Sequence, residues 1–155
     1  MSIFETRRRK LRQLIKKQKA DALLVTSFVN VTYLTGFTGD DSYLLVTLDD
    51  ALLVSDTRYT TQLEEECPDL PVHIRGVGEQ MQAAVVGAIE KAGVEAVAIE
   101  ADSMTVGHRD KLAEATDGVT LVPASGLVEQ LRLTKDKTEI EATRIACVQA
   151  RRAFE

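Results

Sequence analysis

Asn30-Val31-Thr32-Tyr33-Leu34-Thr35-Gly36-Phe37-Thr38-Gly39 is the stretch from which the rest of the chain is best read. Two glycines three residues apart flank an aromatic, and a pair of acids, Asp40 and Asp41, follows. A left-handed residue at the end of a helix costs glycine nothing, so Val31 to Thr35 reads as a brief helix stopped by Gly36. Phe37 then anchors the exit, and Gly39-Asp40-Asp41 forms a loop leading to the next strand. A loop held between packed elements is either a tight connection or a place where a fold displays function.

The elements on either side place this motif in an alternating pattern. Upstream, Ser2 and Glu5 have capping-box spacing, which predicts a helix from the start of the chain to near Lys19. Phe4, Leu11, Leu14 and Ile15 form its apolar face, with arginines and lysines on the other. Ala22 to Val25 is a short apolar run with the character of a buried strand. Downstream, Ser42 to Thr47 and Ala51 to Ser55 are joined through Leu48-Asp49-Asp50, the spacing of an antiparallel hairpin. A helix over Thr57 to Cys67 is stopped by Pro68 and Pro71. Val72 to Arg75 is a strand. Met81, Ala84, Val85, Ala88, Ile89 and Ala92 share one face of a helix over Glu79 to Ala92, closed by Gly93. A strand at Ala96 to Ile99, a helix from about Thr105 to Ala115 and a strand at Val119 to Val122 complete the series.

Strands alternating with helices imply a sheet covered on both faces, and the hairpin makes that sheet mixed. The expected fold is a three-layer α/β domain with about five or six mostly parallel strands and one antiparallel hairpin. After residue 122 the character changes. Leu127, Leu131 and Leu133 form a short packing segment. Asp136 and Glu139 then have capping-box spacing before a helix running through Ile140, Ile145 and Val148 towards Phe154. No stop signal ends that helix, and its alanine stripe at 142, 146 and 150 suits packing against something further along a longer protein.

Composition narrows the function classes. The 155 residues are 45% hydrophobic and 28% charged, suited to one globular core, and only 5% aromatic with no Trp. That composition argues against a base-stacking surface for nucleic acid. Eight of the 19 basic residues, but one of the 24 acidic ones, lie before Ala20. Such a basic helix reads either as a contact for an acidic partner or as a solvated face offsetting an acidic body. Two distant cysteines, Cys67 and Cys147, fit a reduced, cytoplasmic protein. No apolar run suits a membrane span or a signal peptide.

Catalytic constellations are scarce. His73 and His108 lack partners at metal-ligand spacing, and Gly76-Val77-Gly78 lacks the third glycine of a dinucleotide loop. No serine sits in a nucleophile elbow, and the acidic surroundings of Cys67 raise its pKa. Asp56-Thr57-Arg58-Tyr59 marks a strand-to-helix corner. Asp56 is placed to cap, Arg58 to pair with a carboxylate, and Tyr59 to pack inward with its hydroxyl bonded.

Three stretches together carry a family likeness: Asn30 to Phe37 with Gly39, Asp56 to Tyr59, and Arg132-Leu133-Thr134-Lys135 leading to Glu139-Ile140 and Arg144-Ile145-Ala146. On these the chain resembles the N-terminal domain of the creatinase, prolidase and Xaa-Pro aminopeptidase family. The resemblance implies a domain over residues 1–131. Residues 132–155 would be the linker and first helix of a C-terminal catalytic domain with a pita-bread fold. That second domain would hold two divalent metals, such as Mn or Co, so this chain alone would bind no cofactor and hydrolyse nothing. It also implies a homodimer in which a loop of this domain narrows the partner's active site to short proline-containing peptides. The candidates for that gate are Phe37, Asp40 and Asp41, with Asn30, Tyr33, Gly36, Asp56, Arg58 and Tyr59 as the structural motif. Two other readings stand beside this one: a non-catalytic protein-binding module of the same fold, and a free-standing small α/β protein.

Overall fold

The computed structural model describes residues 2–155. Six strands form one sheet in the order β4-β3-β2-β1-β5-β6. They are β1 (Ala22–Val25), β2 (Tyr43–Thr47), β3 (Ala51–Asp56), β4 (Val72–Arg75), β5 (Ala96–Glu100) and β6 (Thr120–Ala124). β2 pairs antiparallel with both β1 and β3, while β1–β5, β3–β4 and β5–β6 are parallel. One strand, β2, therefore runs against the other five, as the hairpin spacing requires.

Among the described residues seven α-helices accompany the sheet: α1 (Ile3–Lys17), α2 (Phe28–Thr35), α3 (Thr60–Glu66), α4 (Met81–Ala92), α5 (Val106–Ala115), α6 (Leu127–Leu133) and α7 (Lys137–Phe154). The period-two alternation of the strands divides the core into two layers. Leu23 and Val25 of β1 join Leu11, Ile15, Leu34, Phe37, Leu63, Leu127 and Val128 on the face covered by α1, α2, α3 and α6. Ala22 and Leu24 join Ala84, Val85, Ile89 and Leu112 on the face covered by α4 and α5. The three-layer mixed sheet expected from the alternation is the fold observed.

Several boundaries differ from the sequence reading, each for a physical reason. α2 starts at Phe28 rather than Val31, and the two residues leading into it are held by a side chain from far away in sequence, described below. β6 runs through Pro123, which a strand tolerates at the edge of a sheet. The packing segment after residue 122 is a helix, α6, entered from Gly126 at φ 68° and extending past residue 131 to Leu133. Leu133 is exposed instead of packed.

At the start of α1 the capping box is half formed. Ser2 Oγ accepts from the Glu5 N–H at 3.1 Å, but the Glu5 carboxylate accepts from Arg8 and Arg12. At α7 the box is complete: Asp136 accepts from the Thr138 and Glu139 amides, and Glu139 accepts from the Asp136 N–H. α7 has no buried residue, and Ile140, Ile145, Val148 and Phe154 are exposed along it.

Candidate functional site

The motif at residues 30–39 is the hub of three polar and apolar networks. Its helix, α2, is short and carries no acid in its first turn or base in its last. Its ends are satisfied by the rest of the fold. At the N-terminus the Glu100 side chain, at the end of β5, accepts from the Thr26 N–H at 2.7 Å and the Ser27 N–H at 2.8 Å. Glu100 is 8% exposed. An acceptor at the positive end of a helix is favoured both by the free amides and by the dipole.

At the C-terminus every one of the last four carbonyls has a donor. Thr32 O accepts from the Gly36 N–H, Tyr33 O from Arg7 at 2.8 Å, Leu34 O from Arg8 at 2.9 Å, and Thr35 O from Cys67 Sγ at 3.5 Å. Arg7, Arg8 and Arg12 are thus structural cations, not members of a solvated face. The other five basic residues before Ala20 remain exposed.

Asn30 is 1% exposed and uses its whole amide. Its Nδ2 donates to Glu100 at 2.7 Å and to Glu129 at 2.6 Å, and its Oδ1 accepts from Arg132 at 3.0 Å. Tyr33 donates its hydroxyl to the Leu131 carbonyl at 3.2 Å. The first and third sequence motifs are therefore bonded to each other, through Asn30 and Arg132, across about a hundred residues. Gly36 sits at φ 84°, and a Cβ there would meet the Phe4 ring at 2.5 Å, so both backbone and packing demand glycine.

The second motif joins the first through Phe37. Phe37 is 0% exposed and meets Tyr59 edge-on, ring centroids 5.5 Å apart. A Cβ on Gly39 would strike both rings. The Phe37 side chain is therefore sealed in the core and supports the loop from below. Tyr59 packs inward, but no protein partner for its hydroxyl is found among the described residues.

The loop itself is fastened at two points. Thr38 donates its N–H and hydroxyl to Glu66 of α3 at 2.7 and 2.8 Å. Asp41, at φ 52°, accepts from Arg58 at 2.9 Å and from Arg75 at 2.7 Å. Asp56 caps the short 3-10 turn of residues 57–59, accepting from the Arg58 N–H, and pairs with both arginines. Asp40 is exposed, and its carboxylate accepts from the Asp41 N–H. Of the two loop acids, Asp41 is held in ion pairs while Asp40 faces solvent without an arginine partner among the described residues.

Hydrogen bonding from the Arg58 guanidinium, above all, and from its backbone amide lowers the Asp56 pKa to about 2. A carboxylate whose folded pKa lies below its unfolded value of about 4 contributes stability that is complete above that value. It is lost as pH falls from about 4 to about 2, with the fold losing stability as Asp56 protonates. The expected result is an acid limb in thermal melts over that range, flattened in Asp56→Asn, and an unchanged limb in the variant would contradict it.

The remaining candidates assemble no chemistry. His73 faces Glu79 at 3.2 Å, and His108 lies beside the Tyr43 ring. Among the described residues no group of three or more His, Cys, Asp or Glu side chains is arranged to hold a metal ion. Burial, aided by Glu66, pushes the Cys67 thiol pKa up, which makes it a poor nucleophile. Glu100, Arg7 and Arg8 are the residues that sequence reasoning missed. The one signal for Glu100 was an acid ending an otherwise apolar strand.

The creatinase/prolidase N-terminal domain matches residues 7–134, a span that includes the first two motifs and ends within the third. The chain belongs to that family. The creatinase/prolidase N-terminal domain seen here is 39% identical to the N-terminal domain of the cytoplasmic peptidase PepQ of Mycobacterium tuberculosis, with a TM-score of 0.74 over 81% of this chain and 98% of that one. It also superposes on the Xaa-Pro dipeptidase of Bacillus anthracis, with a TM-score of 0.83 and 26% identity, covering 89% of this chain and 38% of that one. The uncharacterized peptidase YqhT of Bacillus subtilis is 34% identical over 141 residues, 88% of this chain and 39% of the relative. The chain thus spans about two fifths of that curated relative's length.

Proposed function

We propose that this chain is the non-catalytic N-terminal domain of a metal-dependent Xaa-Pro peptidase, an aminopeptidase or a dipeptidase. It contributes to a homodimer and narrows access to the partner subunit's active site. The observation that carries this reading is the coverage: a family domain over residues 7–134 that spans under half the length of two peptidase relatives. In this reading α7 opens the catalytic domain in cis, which supplies the two divalent metal ions, such as Mn or Co, and cleaves proline-containing peptides. Neither nucleic acid nor a membrane is a partner, and the cytoplasm, where the PepQ relative is described, is the compartment. No helix among the described residues is long and apolar enough to cross a membrane.

The gate narrows from three residues to one direct contact. Phe37 and Asp41 set the shape of the loop, while Asp40 offers a carboxylate to a peptide's free amino group by a charge-assisted bond. In the full-length protein, Asp40→Ala is expected to raise KM for a free-amino proline peptide about tenfold, the loss of one such bond, with kcat little changed. N-acetylated peptides should not respond. Equal KM values in the Asp40→Ala and Asp41→Ala proteins and the parent would sink the gating role. A binding-module reading drew its support from the basic first helix. That support weakens now that Arg7, Arg8 and Arg12 are committed inside the domain.

A further inference from the structure

We infer that Arg7 is a positioning residue that sets the direction in which α7 leaves the domain, through a single guanidinium clamped between α2 and the α7 cap. α7 buries no residue of its own. Among the described residues, every hydrogen bond and ion pair between α7 or its cap and the body of the domain passes through Arg7. Its Nη2 pairs with Asp136 at 2.6 Å and with Glu139 at 3.3 Å. Its Nη1 donates to the Tyr33 carbonyl at 2.8 Å. The face of the guanidinium lies 4.0 Å from the centroid of the Tyr33 ring, and Phe4 lies 5.7 Å away on α1. The Arg7 side chain is 11% exposed, so this is a partly buried clamp and not a surface ion pair.

The chemistry selects arginine. One planar fork satisfies a helix-terminal carbonyl with one nitrogen and a carboxylate with the other, and stacks on an aromatic ring at the same time. Lysine, a point charge, cannot hold all three. The clamp also divides the Asp136 carboxylate between two tasks. Oδ1 accepts from Thr138 and Glu139 and so caps α7, while Oδ2 faces Arg7. The helix start and its orientation are therefore separable. Arg7 and Asp136 also bracket the domain from its two ends, at the first matched residue and just past the last. This inference concerns the residues present and stands whether or not the peptidase reading holds.

Pulsed EPR on the 155-residue chain tests it. One spin label goes on Cys147, exposed on α7, and the other on Glu90→Cys, exposed on α4, while Cys67 is buried. The parent should give a narrow distance distribution. Asp136→Asn keeps an oxygen for the cap but turns an amide towards Arg7, so it should at least double the width while helix content by circular dichroism stays the same. Arg7→Lys should broaden it likewise, and Arg9→Lys, on the solvent side, should not. Parental widths in both Asp136→Asn and Arg7→Lys, or a parent already as broad as they are, would overturn the inference.

Discussion

Glu100→Ala is expected to destabilise the domain by about 3–5 kcal/mol, among the largest effects available to a single polar side chain here. The Thr26 and Ser27 amides and Asn30 Nδ2 all aim at its two oxygens, with the Thr26 and Ser103 hydroxyls nearby. Removing the acceptor leaves the Thr26 and Ser27 amides at the entry to α2 and the buried Asn30 amide short of partners, each unmet group costing about 1–3 kcal/mol. Ser27 does not compensate, because its side chain makes no capping bond. Urea denaturation at neutral pH should show the loss as a lower midpoint with an unchanged slope. A loss below about 1 kcal/mol would mean that water replaces the carboxyl group without penalty, and the account of α2 as a helix capped from β5 would fail.

Phe37→Ala is the second large effect, at about 3–5 kcal/mol for a fully buried aromatic. The ring lies under the loop it supports, wedged against Tyr59 and beneath Gly39. Its loss removes the support of Tyr59, in the corner that follows Asp56, and of the loop at Gly39 together, so the damage should reach beyond the cavity. Thermal melting should drop by about 10 °C. Hydrogen exchange should quicken at Thr38, whose amide is held by Glu66. Faster exchange confined to Phe37 itself, with the loop amides still protected, would contradict the role of the ring as the loop's foundation.

The parts of this fold that the sequence exposes are those fixed by near neighbours. The hairpin at Leu48-Asp49-Asp50, the apolar stripe of α4 and the cap at Asp136 each depend on residues within a few positions, and each reads off directly. What stays hidden depends on residues far apart. The start of α2 lies three residues before the place local sequence suggests, and the residues leading into it are held by Glu100, more than seventy positions on. The arginines of α1 look like a solvent face because nothing local shows that α2 ends against them. Phe37 looks available beside two acids because its partner, Tyr59, lies in another motif. The three motifs were individually weak for the same reason. Their residues are chosen to bond one another, and the bonds appear only once the sheet has brought them to one end of the domain.

This reading turns the motif at residues 30–39 from a suspected site into a framework. Asn30 ties α2 to β5 and α6, Tyr33 ties it to α6 and to Arg7, and Gly36 and Phe37 set the exit of the loop. The acid left facing solvent, Asp40, is the part with chemistry to offer another molecule. In the proposed reading, a domain organised in this way orders and presents a loop and the helix α7, and leaves bond cleavage to another part of the protein.

The most direct test of that claim is a hydrolysis assay with a Xaa-Pro dipeptide and a Xaa-Pro tripeptide in the presence of manganese, comparing the full-length protein with residues 1–155 alone. The full-length protein is expected to release the residue before proline, and the 155-residue chain to release nothing above the uncatalysed rate. Cleavage by the short chain, or a full-length protein that cleaves neither peptide, would contradict the account.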